Sequence, residues 1–301
     1  MSLKVWMVEI RFPFLLLPVI LALVGGSLAI YDGFFDAINF VLFTAVLVLL
    51  HITVNTLNEY YDHQSGVDAI NTRRTMFNGG TGTLQAGLLT PRQVFQAAMI
   101  SFVAAALVAA VVVYRTSLAL VPLVVLGMVF ALFYTQIFAR NMLGEITAGM
   151  GLGVLPVLGA YMVHNPSPTP TCIALSVMAG ILTFNLLLLN EFPDLDADIR
   201  GGRRNLVITL GTRKAAWLYA ILTFSVYGIL ILLALLQMLP VLALLGLLTL
   251  PIAFKAASMS FTDPREISSF QQGQKANVQL ILGTQAFVAI GLLVATLLLV
   301  I

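Results

Sequence analysis

Charged residues are scarce in this sequence. Only 9% of its 301 residues are charged and 60% are hydrophobic, whereas a typical soluble domain has about 25% charged residues. This composition excludes a soluble globular protein and indicates a chain embedded in a lipid bilayer. We therefore predict an all-α polytopic membrane protein that forms one membrane-embedded domain over residues 1–301.

Cysteine is also nearly absent. The single Cys172 excludes an internal disulfide, and it has no partner for a metal–thiolate site. We expect its thiol to pack in the protein interior.

Long apolar runs fill most of the remaining chain. A spanning helix needs about 20 apolar residues. The nine candidate spans lie near residues 12–31, 37–57, 93–114, 117–136, 142–162, 171–190, 214–236, 238–257 and 277–300.

The basic residues are distributed unevenly between the two sides of such a chain. With nine spans, the N-terminus and the loops after the even-numbered spans share one side. That side holds Lys4, Arg11, Arg73, Arg74, Arg92, Arg140, Arg200, Arg203, Arg204, Arg213, Lys214, Lys255, Arg265 and Lys275. The opposite side holds only Arg115. Because basic loops stay in the cytoplasm, we expect a multi-pass cell-membrane protein with this basic side facing the cytoplasm.

Two acidic segments share the pattern Asn-Glu-aromatic-x-Asp. Residues 58–68 and 190–198 contain seven of the 13 acidic residues, and each segment ends an even-numbered span. Carboxylates near a bilayer are costly unless they are paired, solvated or bound to a cation. Arginine pairs follow both segments, at 73–74 and 203–204. This combination suits a divalent metal that holds a diphosphate at a cytoplasmic site between two repeats, although five matched positions also allow a chance similarity.

The first segment continues a polar stripe on the second span. His51, Asn55, Asn58 and Asp62 have the spacing of one helix face. The stripe predicts side chains that line a site. For His51 and Asn55, mutual hydrogen bonding between helices is an equally good interpretation.

The second segment has a similar spacing but contains a proline. Asn190, Asp194 and Asp198 recur at every fourth position, and Pro193 predicts a kink or a restart of the helix. We expect Asp196 to be a solvated loop carboxylate.

Other polar residues near these segments have two interpretations each. Glu59 and Glu191 complete a metal shell or pair with arginines. Glu145, inside the fifth span, is a functional candidate by its position, or it has a structural role in capping a helix or pairing with Arg140. Tyr134 lies at the end of the fourth span, close in sequence to Arg140 and Glu145. The arginines near the motifs suit bidentate binding of phosphate, but cytoplasmic loops are basic in any case.

With these motifs, nearly the whole chain resembles the UbiA family of intramembrane prenyltransferases. The first motif of that family usually reads Asn-Asp-x-x-Asp-x-x-x-Asp. Here Glu59 replaces the first Asp, and Asp68 falls two positions late. The segments that are similar to the menaquinone-biosynthesis branch are 65–68, 133–135, 143–145, 190–198 and 202–206.

The resemblance implies a site and its ligands. One or two Mg²⁺ ions would bind the diphosphate of a polyprenyl donor such as geranylgeranyl diphosphate. The implied metal ligands are Asn58, Asp62, Asp68, Asn190, Asp194 and Asp198. The implied diphosphate ligands are Arg74, Arg140, Arg200, Arg203 and Arg204. The resemblance also gives Asp62, Asp194 and Tyr134 catalytic roles, with Tyr134 against the reactive carbon of the donor or the acceptor.

The resemblance further implies the reaction. Diphosphate leaves, an allylic cation forms in a dry pocket, and an electron-rich aromatic ring attacks it and loses a proton. The prenyl tail would lie in a groove between helices that opens to lipid. The favoured acceptor is 1,4-dihydroxy-2-naphthoate, which gives a demethylmenaquinone precursor.

Other functions stay open. Within the family, the acceptor could be geranylgeranylglyceryl phosphate of archaeal lipid synthesis. A cation-coupled transporter also has repeats and intramembrane carboxylates, but its carboxylates should lie near the bilayer midplane rather than at one face. A CDP-alcohol phosphotransferase would carry one dense Asp-rich motif that this sequence lacks. We expect no nucleic-acid partner.

Overall fold

The computed structural model describes residues 2–70 and 75–300. Within these residues, nine helices are long and apolar enough to cross a membrane. They are α1 (Phe12–Tyr31), α2 (Ala37–Ser65), α3 (Pro91–Arg115), α4 (Leu118–Phe138), α5 (Gly144–Met162), α6 (Pro170–Arg200), α7 (Thr212–Leu235), α8 (Val241–Ser260) and α9 (Ile267–Val300). Three short helices, Leu3–Glu9, Val67–Ile70 and Leu206–Leu210, flank these spans. The prediction of an all-α chain with nine spans is confirmed.

Several helices begin where the local sequence supplies a cap. At α3 the Thr90 side chain accepts a hydrogen bond from the backbone N–H of Gln93, and the Gln93 side chain accepts one from the backbone N–H of Thr90. Thr169 caps α6 through the N–H of Cys172. A proline follows each threonine, where its missing N–H costs nothing. These caps fix the residues at which α3 and α6 begin.

The helices surround a central space. Helix α1 packs against α2, α5 and α9, while α2 packs on α3, and α6 contacts α5, α7 and α9. Where α5 crosses α6, a Cβ on Gly153 would lie 2.3 Å from Thr183 Oγ1. Small residues permit such close contact between membrane helices. Cys172 is buried in the core, as its apolar surroundings predict.

Helices α2, α6 and α9 extend beyond their apolar runs. Helix α2 ends at Ser65 rather than at residue 57, α6 ends at Arg200 rather than at 190, and α9 begins at Ile267 rather than at 277. Hydropathy marks only the apolar part of a helix, whereas these extensions carry the polar residues of the site.

The predicted restart of the second motif at Pro193 is wrong, because α6 continues through this residue to Arg200. Phe192 and Pro193 are buried, and the Phe192 ring stacks on Phe270 of α9 with centroids 5.5 Å apart. Packing of neighbouring helices lets membrane helices tolerate proline. Asp196 is therefore on a helix and not in a loop, although its side chain is exposed as expected.

Candidate active site

Two cavities of opposite character meet inside the helix bundle. The apolar cavity has a volume of about 190 Å³ and is walled by α1, α2, α4, α5 and α6. The polar cavity has a volume of about 130 Å³ and lies at the motif end of the bundle. The residues that line both are Arg11, Asn58, Tyr134, Leu187 and Asn190. Because they share these residues, the charged cavity directly adjoins the apolar one.

The polar cavity brings the two acidic motifs together. Its lining includes all six residues that the resemblance implies as metal ligands, Asn58, Asp62, Asp68, Asn190, Asp194 and Asp198. On α6, the spacing of four between the last three puts them on one face because the helix is continuous. On α2 the polar stripe from His51 to Asp62 likewise faces the two cavities.

Arg203 lies between the motifs. Its guanidinium pairs with Asp62 of the first motif, and its Nη1 lies 3.4 Å from Asp198 Oδ1 of the second. Burial would lower the pKa of Arg203, but the carboxylates of Asp62 and Asp198 raise it above its ordinary value. Arg203 therefore remains a cation at the centre of the carboxylates.

The loop after α6 is folded back onto the second motif. Asn205 Nδ2 donates to Asp198 Oδ2 at 2.9 Å, and the backbone N–H of Arg203 donates to the carbonyl of Asp198. Glu145 Oε1 accepts a 2.6 Å hydrogen bond from the backbone N–H of Leu206. Within the described residues Glu145 forms no ion pair with Arg140. Its contact instead anchors the loop that carries Arg203.

Glu145 also faces Glu191 of the second motif. Their carboxyl groups lie within hydrogen-bonding reach of each other. In the described chain, the Oε2 atom of each is buried without a hydrogen-bond partner. Within the described residues Glu191 forms no ion pair with an arginine, and it lines the polar cavity. Its other expected role, completing a metal shell, stays a prediction.

Asn78 and Gln274 join the second motif to the loop before α3. Asn78 Nδ2 donates to Asp194 Oδ1 at 2.5 Å, and Gln274 Nε2 donates to Asn190 Oδ1 at 3.1 Å. Thr75 donates to Gln274 Oε1 at 3.1 Å. The sequence reasoning missed both amides, and the hydropathy boundary at 277 left Gln274 outside the last span. Gln274 is fully buried in the first turns of α9, and the sequence carries no signal of that burial.

The glycines of this loop allow a close backbone approach. Gly79, Gly80 and Gly82 have positive φ angles, which residues other than glycine rarely adopt. A Cβ on Gly80 would lie only 2.5 Å from Asp68 Oδ2. The next residue, Thr81, donates its N–H to both carboxylate oxygens of Glu59, at 3.0 and 2.9 Å.

Glu59 in turn forms an ion pair with Arg11. The sequence indicated only that Arg11 is one of the basic residues on the cytoplasmic side. Arg11 Nη2 lies 2.7 Å from Glu59 Oε1. Burial would lower the pKa of Arg11, whereas the charge of Glu59 and their hydrogen bond raise it. Nearby, Glu9 is fully buried, and its burial, together with the charge of Glu59, raises its pKa. Glu59 thus pairs with an arginine, one of its two expected roles.

The other predicted arginines occupy different positions. Arg140, Arg200 and Arg204 are exposed, and none of them lines the polar cavity. Arg74 falls outside the described residues. Of the four described arginines assigned to a diphosphate, the structure therefore brings only Arg203 to the two motifs. The expectation that Arg140, Arg200 and Arg204 belong to this cluster is not met, because their side chains lie on outward faces.

Tyr134 lies at the boundary between the cavities. It opens a π-helical turn, Tyr134–Phe138, at the end of α4, and such turns often occur at functional sites. The neighbouring Thr135 Oγ1 donates to Asn58 Oδ1 at 3.2 Å. This contact ties the end of α4 to the first motif.

The donor set of the polar cavity suits a hard cation. All its candidate ligands are carboxylate or amide oxygens, which Mg²⁺ prefers. Within the described chain, no three carboxylate or histidine side chains converge as a preformed metal cage. Mg²⁺ usually takes one or two carboxylates together with substrate phosphates, so this arrangement fits a metal that arrives with a diphosphate.

A family model covers most of these elements. The model of the UbiA prenyltransferase family matches residues 18–281. The chain belongs to the UbiA prenyltransferase family. Its membership accounts for the nine spans and for the two motifs at one end of the bundle.

Relatives and solved structures agree with this assignment. The chain is 30% identical over 206 residues to the 1,4-dihydroxy-2-naphthoate octaprenyltransferase of Bacillus subtilis, covering 66% of this chain and 63% of that protein. It is 28% identical over 228 residues to the Escherichia coli protein of the same name, covering 73% and 72%. The match thus spans less than two thirds of the length of the Bacillus protein.

The fold is similar to that of archaeal UbiA homologues. The apo structure of a homologue from Aeropyrum pernix superposes with a TM-score of 0.72 at 16% identity, covering 92% of this chain and 98% of the other. A homologue from Archaeoglobus fulgidus, solved bound to GPP and Mg²⁺, superposes with a TM-score of 0.67 at 15% identity, covering 94% and 99%. At these identities the likeness concerns the fold.

Proposed function

We propose that this protein is a membrane prenyltransferase. It transfers a polyprenyl group from a polyprenyl diphosphate to an aromatic acceptor, 1,4-dihydroxy-2-naphthoate, and releases diphosphate. The observation that carries the proposal is the junction of the polar and apolar cavities at Asn58, Tyr134 and Asn190. A substrate with a diphosphate head and a hydrocarbon tail matches such a pair of compartments.

The polar cavity receives the diphosphate. Asn58, Asp62, Asp68, Asn190, Asp194 and Asp198 would hold Mg²⁺, which when bound supplies positive charge that stabilises the diphosphate as it leaves. The Arg203 guanidinium, held by Asp62 and Asp198, donates hydrogen bonds to the phosphate oxygens. Arg74 lies outside the described residues, and we include it as a further diphosphate ligand. We leave out Arg140, Arg200 and Arg204, because they are exposed and do not line the polar cavity.

The apolar cavity receives the prenyl chain and the acceptor ring. Its wall includes Phe43, Leu47, Phe130 and Leu155, which exclude water from the allylic carbon as its bond to oxygen breaks. Tyr134 contacts the reactive carbon or the acceptor from the junction. The ring carbon of the acceptor then attacks, so that a C–C bond replaces the C–O bond that broke with release of diphosphate. That ring carbon then loses its proton, and the ring becomes aromatic again.

The relatives of this chain support the choice of this acceptor. Four of them, at 26–30% identity, are 1,4-dihydroxy-2-naphthoate octaprenyltransferases. The basic residues of the motif end support a cell-membrane protein with this site facing the cytoplasm.

Purified protein in detergent tests the proposal. It is incubated with Mg²⁺, geranylgeranyl diphosphate and, separately, 1,4-dihydroxy-2-naphthoate, 4-hydroxybenzoate or geranylgeranylglyceryl phosphate, and products are identified by mass spectrometry. We expect a prenylated naphthalene product, none with excess chelator, and recovery when Mg²⁺ is restored. Full transfer in chelator would remove the metal from the mechanism. A product with geranylgeranylglyceryl phosphate alone would replace the acceptor, and no product with any acceptor would favour a transporter.

A further inference from the structure

A glutamine of α9 lies behind the wall of the polar cavity. Gln274 is 0% exposed and is not among the described residues that line either cavity. It nevertheless hydrogen-bonds Asn78 and Asn190, which both line the polar cavity. We propose that Gln274 is a positioning residue, which sets the direction of these two side-chain amides and so prepares the second motif for Mg²⁺ and diphosphate. This inference rests on the proposed function and assigns a role to a residue that touches no substrate.

Both ends of the Gln274 amide are engaged. Nε2 donates to Asn190 Oδ1 at 3.1 Å and to Asn78 Oδ1 at 3.3 Å, and Oε1 accepts from Thr75 Oγ1 at 3.1 Å. A primary amide has two N–H donors at one end and an acceptor oxygen at the other. The reversed amide would place its oxygen against two amide oxygens, so these contacts hold Gln274 in one orientation.

Packing of α9 against α6 fixes Gln274 from both directions along the helix. One turn earlier, the Phe270 ring stacks on Phe192 of α6. Nearly one turn later, Asn277 Nδ2 donates to the carbonyl of Asn185 of α6 at 3.2 Å. A residue whose own position is locked by its surroundings holds a neighbouring side chain precisely.

The first amide that Gln274 directs is that of Asn78. Its oxygen faces Gln274, and its Nδ2 donates to Asp194 Oδ1 of the second motif at 2.5 Å. An ionised carboxylate only accepts hydrogen bonds, so a reversed Asn78 amide would place its oxygen against that carboxylate and repel it. The direction that Gln274 imposes therefore holds Asp194 at the cavity wall.

The second amide is that of Asn190, an expected Mg²⁺ ligand. Gln274 donates to Oδ1, the atom that would bind the metal. An amide oxygen has two lone pairs, so this hydrogen bond fixes the direction of the oxygen and leaves a lone pair for the ion. Hydrogen bonds of this kind orient metal ligands, and their loss typically lowers metal affinity about 10- to 100-fold. Gln274 thus acts on the metal through Asn190 and, by way of Asn78, through Asp194.

Binding of the donor at varied Mg²⁺ concentration tests this role without catalysis. Geranylgeranyl diphosphate is titrated into the full-length protein in detergent, without acceptor, and calorimetry gives its affinity and the number of binding sites per protein. Gln274→Met keeps the length of the side chain but removes its hydrogen bonds. We expect the Mg²⁺ concentration for half-maximal binding to rise by about 10- to 100-fold. Gln274→Glu, which places an oxygen against the two amide oxygens, should raise it at least as much.

Gln285 of the same helix provides the matched control. It is equally buried, is not among the described residues that line either cavity, and donates through Nε2 to the carbonyl of Ile281, one turn away on α9. Gln285→Met should keep the wild-type Mg²⁺ dependence. If Gln274→Met and Gln274→Glu do not fold, Thr75→Val decides the result. It removes the hydroxyl that holds Gln274 Oε1 and should also raise the Mg²⁺ requirement.

The number of binding sites separates positioning from a purely structural role. Damage to the fold would lower the number of competent sites, while the remaining sites kept the wild-type Mg²⁺ requirement. An unchanged Mg²⁺ requirement in the variants of Gln274, or in Thr75→Val where it replaces them, would overturn the positioning role and leave the proposed function standing. An equal rise in Gln285→Met would do the same. A wild-type protein without Mg²⁺-dependent binding of geranylgeranyl diphosphate would instead refute the proposed function and, with it, this role.

Discussion

The guanidinium of Arg203 forms an ion pair with Asp62. Arg203 follows the second acidic motif in the sequence, whereas Asp62 belongs to the first. The same guanidinium reaches Asp198. One cation thus neutralises a carboxylate from each motif, so that carboxylates gather in one cavity without mutual repulsion dominating. The two motifs form one electrostatic unit, and this unit underlies the first two predictions.

Neutralising either motif should abolish most of the activity. We expect Asp62→Asn and Asp194→Asn each to lower kcat by at least ~100-fold, the effect of losing one main electrostatic stabiliser. The double variant should be little worse than either single one, because residues that act as a unit are not additive. Steady-state prenyl transfer at saturating Mg²⁺ measures all three.

The exposed Asp196 on the same helix provides the matched control. Asp196→Asn should have a mild effect. If Asp194→Asn kept near-normal activity while Asp62→Asn was inactive, the second motif would resemble the first in sequence without taking part in catalysis.

Loss of the Arg203 guanidinium, which contacts Asp62 and Asp198, should lower the catalytic efficiency for the polyprenyl diphosphate in particular. Arg203→Gln should lower kcat/KM for the polyprenyl diphosphate by about 10- to 100-fold, since a charge-assisted hydrogen bond contributes roughly 1.5–3 kcal/mol. The KM for the acceptor should change little. Initial rates over a matrix of donor and acceptor concentrations separate the two constants.

Arg200→Gln is the corresponding control, because Arg200 ends α6 with an exposed side chain away from the polar cavity. We expect it to retain nearly full activity. An equal loss in both arginine variants would indicate a general effect of basic charge rather than a contact between Arg203 and the donor.

The two ends of α6 should lie on opposite sides of the membrane. In a Cys172→Ala background, Arg200→Cys should react with a membrane-impermeant maleimide only from the cytoplasm. Ser167→Cys, in the exposed loop before α6, should react only from outside. Labelling in right-side-out and inverted vesicles makes the comparison. Reversed labelling would place the site outside the cell, and labelling of both from one side would contradict the nine-span arrangement.

His164 should make stability depend on pH at the end of the bundle opposite the motifs. Its Nδ1 accepts a 3.1 Å hydrogen bond from the backbone N–H of Asp36, near Arg115. Burial lowers the pKa of His164 below the ordinary 6.5, although the charge of Asp36 opposes this. The folded protein thus keeps the imidazole neutral, while the unfolded chain binds a proton below about pH 6.5. The stabilisation is complete above that pH and is lost as the pH falls toward the folded-state pKa.

Thermal unfolding in detergent tests this effect. Tm should fall between pH 7.5 and pH 5.5, and the fall should be smaller in His164→Gln. The imidazole of the partly buried His63 on α2 has no hydrogen bond to a described residue, and His63→Gln should keep the wild-type dependence. An unchanged pH dependence in His164→Gln would assign the effect to other groups.

The sequence by itself determined the features that depend on neighbours along the chain. Nine apolar runs specify nine spans because a bilayer requires that length of apolar helix. The polar stripe from His51 to Asp62 shares one face because the helical period brings every third or fourth residue together. The pairing of the two motifs was also predictable, since each ends an even-numbered span.

Only the tertiary structure decided which side chains complete the site. Arg203 lies beside Asp62 whereas Arg140, Arg200 and Arg204 point outward, and all four are equivalent as basic residues near a motif. Arg11 and Gln274 come from the two ends of the chain, and their partners Glu59 and Asn190 are distant in sequence. Such contacts arise when the packing of α1, α6 and α9 brings remote segments together, and residue spacing carries no information about that packing.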